Sequence, residues 1–104
     1  MTLQEFQNVL LSVTENVYHF EAAEASEKYV VWREIGGRAL MASGHRREVI
    51  HEVQVEFCTK EEFDPMLEGL LNALEMAEIV FEEPLVEYDS ETKQIRYTIY
   101  CEIV

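Results

Sequence analysis

From Val49 to Cys58 the chain alternates between two kinds of residue. Val49, His51, Val53, Val55 and Phe57 take one side of a period-two pattern, and Ile50, Glu52, Gln54, Glu56 and Cys58 take the other. That period predicts a half-buried strand with an acidic outer face. Asp64-Pro65 then predicts a helix start, because an Asp side chain accepts from the exposed backbone donors and Pro suits the first helical position. Met66, Leu67, Leu70, Leu71 and Leu74 follow at helical spacing and form one apolar stripe. Ile79, Val80 and Phe81 resume extended structure. A strand and a helix that each carry one apolar face bury both most simply against each other.

The flanking segments extend the pattern. Thr2-Leu3-Gln4-Glu5 has capping-box form, and Leu3, Phe6, Val9, Leu10 and Val13 supply the stripe of a first helix ending near Glu15-Asn16. Val17 to Phe20 reads as a short edge strand. Glu21 to Lys28 fits a helical turn and a solvated linker equally well. Tyr29, Val30, Val31 and Trp32, with Ile35 beyond, predict a strand that Gly36-Gly37 terminates. Pro84 interrupts the region from Ile79 to Tyr88, which predicts an edge strand or one broken by a bulge. Asp89 to Thr92 reads as a turn, and the alternation of Ile95, Tyr97, Ile99, Cys101 and Ile103 predicts a closing hairpin strand.

The summed order is α-β-β-β-α-β-β, the first strand being the least marked. It predicts an α+β fold in one domain over residues 1–104: an antiparallel sheet of four to five strands with two helices packed on one face. Residues 36–48 are expected as an extended loop or arm between strands. Within it, Arg38 to Arg47 (RALMASGHRR) mixes charge with the apolar Leu40 and Met41, and a long loop of that kind is more often functional than idle. A long twisted hairpin whose arginines pair with the protein's own glutamates fits the same residues.

Charge narrows the function. Asp and Glu total 21 against 8 Lys and Arg, a formal net charge of −13, so the surface repels nucleic acid and anionic lipid. MTLQEFQNVL has neither the basic start nor the long apolar stretch of a signal peptide, and no apolar run approaches the ~20 residues of a membrane span. A cytoplasmic origin is expected. Cys58 and Cys101 make no disulfide framework and are expected as free thiols in strands.

Candidate chemistry is sparse. His19, His45 and His51 fall in no metal-ligand spacing, and His51 is expected as a core histidine on the apolar face of its strand. Cys58 and His51 are seven residues apart on one strand, which puts them on opposite faces and excludes a thiol–imidazole pair. Glu61-Glu62 and Glu82-Glu83 resemble an acid/base dyad only by residue type. The expectation is a protein that is not an enzyme and carries no cofactor or metal. What remains is association: a basic, partly apolar projection from an acidic body is complementary to itself head to tail, and such contacts close into rings where the rotation permits.

These residues resemble the small tail-terminator, or tail-completion, proteins of long-tailed bacteriophages and prophages, in the short form from Gram-positive hosts. The likeness rests on Tyr29-Val30-Val31-Trp32 before a variable loop, on Phe57-Cys58-Thr59-Lys60, on Glu62-Phe63-Asp64-Pro65 opening the second helix, and on Phe81-Glu82 with the closing Ile95 to Ile103. None of these is a catalytic signature. The resemblance implies a structural virion protein at the tail-neck junction, assembled in the host cytoplasm as a ring, commonly a hexamer. That ring caps the head-proximal end of the tail tube, stops its polymerisation and allows head-tail joining. Its implied partners are other copies of itself, the tail tube protein and a neck or head-completion protein, with no membrane and no specific nucleic-acid binding. By the same resemblance Arg38, Leu40, Met41, His45, Arg46 and Arg47 would contact the neighbouring subunit or the tube, and a glutamate-rich face would border the DNA channel. A sibling neck or head-closure protein fits the same resemblance. From another class, an acidic DNA-mimic inhibitor of a nucleic-acid-binding host protein fits the charge.

Burying each Leu or Met of the second helix contributes on the order of 1.5–3 kcal/mol. Leu70→Asp is therefore expected to unfold the chain, and a cooperative melt like that of the wild type would show the stripe to be misassigned.

Overall fold

The computed structural model describes residues 1–22 and 27–104, together with the backbone but not the side chain of Arg47. The part of Glu21 to Lys28 read as helical turn or linker that falls at 23–26 lies outside the described residues. The order is α1 (Leu3–Leu11), β1 (Val17–His19), β2 (Tyr29–Ala42), β3 (His45–Thr59), α2 (Pro65–Met76), β4 (Val80–Phe81), β5 (Leu85–Asp89) and β6 (Gln94–Ile103). The class is α+β. One sheet runs β1-β2-β3-β6-β4, and β5 pairs with β6 beside β4, so the two short strands share one edge. The break between them falls at Pro84, which has no amide hydrogen to give a ladder. All pairings are antiparallel except β1 with β2, where Val17, Tyr18 and His19 run parallel to Val30, Val31 and Trp32.

Both helices cover the same sheet face. Val30 and Trp32 from β2, Val53, Val55 and Phe57 from β3, and Ile99, Cys101 and Ile103 from β6 are buried there against Phe6, Leu10, Leu70 and Leu74. The alternation read from the sequence is this inward set. Trp32 meets Phe6 edge-on at 5.3 Å between ring centroids and donates its Nε1 proton to Gln7 Oε1 at 3.2 Å. His19 stacks flat on the other side of Trp32 at 3.9 Å, with its Nε2 within 2.5 Å of Glu34 Oε1.

Three local readings change. α1 stops at Leu11, a turn before Glu15-Asn16, because Ser12 turns the chain: its amide lies 3.1 Å from Asn8 O and its hydroxyl donates to Val9 O at 2.5 Å. His51 is only partly buried, in register with Gly37 and Ile103, and is not a core residue. Gly36-Gly37 does not terminate its strand, for reasons given below.

The caps are local and explicit. Thr2 and Glu5 close the capping box of α1 at 3.0 Å in both directions. At the other end of α2, Glu78 holds a left-handed φ of 58°, while Ile79 N donates to Leu74 O at 3.0 Å across the closing turn. That position favours glycine, and a carboxylate there also opposes the negative end of the helix dipole. Glu78→Gly is expected to raise stability by about 0.5–1.5 kcal/mol, read as an increase in Tm; an unchanged or lower Tm would show that the left-handed residue carries no strain.

Candidate assembly interface

The segment expected as a loop or arm at 36–48 is the outer half of one continuous β-hairpin. Ser43 and Gly44 form a two-residue turn with φ of 54° and 77°, the left-handed pair a tight hairpin requires, and Ala42 faces His45 across it. The strand passes through the two glycines by a bulge. Register shifts between Glu34 and Gly36, and a Cβ on Gly37 would lie 3.0 Å from the Ile50 carbonyl oxygen. The glycines let the backbone pass close to its partner strand instead of stopping it. Beyond this point neither helix covers the ribbon, and residues 35–46 are all exposed. The arm makes the molecule 52 Å long against 26 and 24 Å in the other directions.

The six residues singled out from the sequence divide. Leu40 and Met41 are exposed at 54% and 60%, but as neighbours in a strand they point to opposite faces of the ribbon. Met41 pairs in register with exposed Arg46, and His45 sits at the turn. Arg47 is the extra residue of a second bulge, since Leu40 faces Glu48 and Met41 faces Arg46; its side chain lies outside the described part. Arg38 turns inward. Its guanidinium reaches Glu102 Oε1 at 3.2 Å and Oε2 at 3.4 Å, and Glu52 Oε1 at 3.4 Å. It ties the base of the arm to β3 and β6, as the hairpin reading required of the arginines.

The uncovered face of the sheet is correspondingly less acidic than its sequence. Besides the Arg38 triad, Glu56 lies 3.7 Å from Arg33 and 3.8 Å from Arg96. Glu61 and Asp64 meet Lys28, but most of the acidic residues lie away from that face: residues 61–91 hold 11 of them and no Lys or Arg. These form the outward side of α2, with Glu68, Glu75 and Glu78 exposed, and the β4–β5 edge, with Glu82, Glu83, Glu87 and Asp89 exposed. Within β5 every residue is exposed, Leu85 at 57%, Val86 at 61% and Tyr88 at 64%. The sequence reading passed over this edge. Its signal was the absence of any basic residue across that span, together with Pro84 ahead of an apolar run.

Polar chemistry inside the fold is structural. Asp64 caps α2 through Met66 N at 2.9 Å, accepts the Thr59 hydroxyl at 2.7 Å, and meets Lys28 Nζ at 2.8 Å. Burial pushes its carboxyl up, but the Lys28 ammonium, the Met66 amide and the Thr59 hydroxyl outweigh burial and hold it below the usual aspartate range. Cys58 and Cys101 are free, buried, and on opposite sheet faces. Burial pushes the Cys101 thiol up to about 12, which keeps it protonated and inert. Among the described residues no group of three or more His, Cys, Asp or Glu is placed to hold a metal ion, and no helix is long and apolar enough to cross a membrane.

The chain matches no protein-family model and no curated protein.

A carboxyl with a lowered folded pKa adds stability that is complete above its ordinary value near 4 and is lost as pH falls through the lowered one. Asp64→Asn keeps an acceptor for the Met66 amide and removes the charge. It is expected to cost about 1–3 kcal/mol at pH 7 and to lose that deficit as pH drops below about 4. Urea melts across pH 2–7 measure this; a deficit independent of pH would assign the cost to packing instead of charge.

Proposed function

We propose that this chain is the subunit of a ring that caps the head-proximal end of a phage or prophage tail tube, ending tail polymerisation and permitting head-tail joining. One observation supports the reading above the others: a stiff hairpin with an exposed basic tip projects from a body whose carboxylates gather on α2 and the β4–β5 edge. Such a subunit suits head-to-tail contacts, which close into rings where the rotation permits. The resemblance of the residue pattern to tail-terminator proteins supports the location, and a sibling neck protein would use the same geometry. In this reading the chain performs no catalysis, and its partners are its own copies, the tube protein and a neck protein.

The acidic span favours one other reading, a DNA-mimic inhibitor, in which α2 and the β4–β5 edge present carboxylates to a DNA-binding host protein. Electron microscopy of particles from the source prophage with this gene deleted separates the two. Overlong or unjoined tails beside DNA-filled heads are the expected result. Complete, normal virions would overturn tail capping and leave the inhibitor. Within the first reading, Arg46→Glu with Arg47→Glu should leave the thermal melt unchanged and reproduce the deletion phenotype. Arg38 is left intact in that variant, because a glutamate there would face Glu52 and Glu102 and disturb the sheet itself.

A further inference from the structure

We propose that the open edge of β5 is the docking site for the β2–β3 arm of a second copy of this chain, an inference that rests on the ring reading above and names its receiving surface. β5 pairs with β6 on one side, and among the described residues no strand lies on its other side. Its five residues therefore offer a row of unpaired backbone donors and acceptors flanked by exposed Leu85, Val86 and Tyr88. An exposed apolar edge of this kind is a template for another strand.

The arm has the matching property. Among the described residues β1 pairs only with Val30 to Trp32 of β2, and β6 only with His51 to Thr59 of β3, so both edges of the arm are open there beyond those points. From Gly37 to Ala42 it spans about 20 Å at strand rise, enough to lie along the whole of β5, which needs about 17 Å.

Charge then selects among the possible pairings. Two β5 edges brought together would oppose Glu87 and Asp89 to their own copies, with Glu82 and Glu83 close by. Two arm tips would oppose exposed Arg46 to its own copy in the same way. Only the arm of one copy against β5 of the next joins unlike charges. Like-charge juxtaposition suppresses the two symmetric arrangements, and the surviving contact is heterologous. Leu40 and Met41, on opposite faces of the ribbon, meet the apolar side chains on either face of β5, since Val86 and Tyr88 alternate with Leu85 and Glu87.

Sedimentation equilibrium of the full chain at about 50 mM salt, where exposed charges are weakly screened, tests this with two charge reversals. The arm variant is Arg46→Glu with Arg47→Glu, and the edge variant is Glu83→Lys with Glu87→Lys; Asp89 is kept because it caps the turn through Glu91 N and Thr92 N. Circular-dichroism melts confirm that each variant folds. The wild type is expected to self-associate, each variant alone to weaken association by about tenfold or more, and an equimolar mixture of the two to recover it, because each variant then supplies the other's complement. A control variant, Glu75→Lys with Glu78→Lys on α2, keeps both arm and edge and is expected to self-associate as the wild type does. Loss of association in that control, with the edge variant associating normally, would move the docking site to α2 and overturn the proposal while sparing the ring. A wild type that stays monomeric to about 1 mM, a very weak dissociation constant, would overturn arm-to-edge docking between copies, and the deletion phenotype would still decide tail capping independently.

Discussion

Val30, Trp32, Val53, Val55, Phe57, Ile99 and Ile103 form one apolar plane across three adjacent strands. Strands lie about 4.8 Å apart and a helix with its side chains is about 10–12 Å wide, so neither helix covers that plane alone. Both must dock for the plane to leave water, and the caps at Thr2 and Asp64 fix where each one starts. Asp64 adds a second tie: through Lys28 and Thr59 it holds the segment before β2, the end of β3 and the start of α2 at one point. A buried charge of this kind is tolerated because each neighbour supplies a proton or a positive charge to it.

The strands and helices that build the plane were legible because their periods were undiluted. Val53, Val55 and Phe57, and Ile99, Cys101 and Ile103, alternate without interruption, and Leu70 and Leu74 stand one turn apart. What was not legible lay where local signals pointed away from the tertiary answer. Two adjacent glycines ordinarily end a strand, yet here Gly37 lets the Ile50 carbonyl oxygen lie 3.0 Å from where a Cβ would be, a neighbour brought in only by the hairpin. Pairing direction is not encoded in alternation either, so the parallel β1 could not be told from an antiparallel edge. In the arm the basic residues were readable as a cluster, but composition treats Arg38 and Arg46 alike, and only the register that places Glu52 and Glu102 under Arg38 separates an anchor from an exposed tip.

The distribution of charge has a structural reason. Carboxylates on the uncovered sheet face stand about 5 Å from their cross-strand neighbours, where like charges repel most. Arg33, Arg38 and Arg96 are spent on that face, with Glu52, Glu56 and Glu102 between them. That leaves α2 and the β4–β5 edge with carboxylates alone, on surfaces curved toward solvent where repulsion is screened. The net charge of −13 is therefore concentrated on one side of the fold, not spread evenly over it.

The arm gains nothing from the core. From Ile35 to Arg46 every residue is exposed, so its order comes from ladder hydrogen bonds, a two-residue turn and the Arg38 tie. An isolated two-stranded ribbon is marginal in water, and this one persists because it continues strands already fixed in the sheet. Two bulges increase its local twist. A projection that is ordered before it meets anything loses less entropy on docking than a loop would. Leu40 and Met41 keep more than half of their surface in water, and the proposed docking onto a second copy would cover them on a ribbon whose backbone is already ordered.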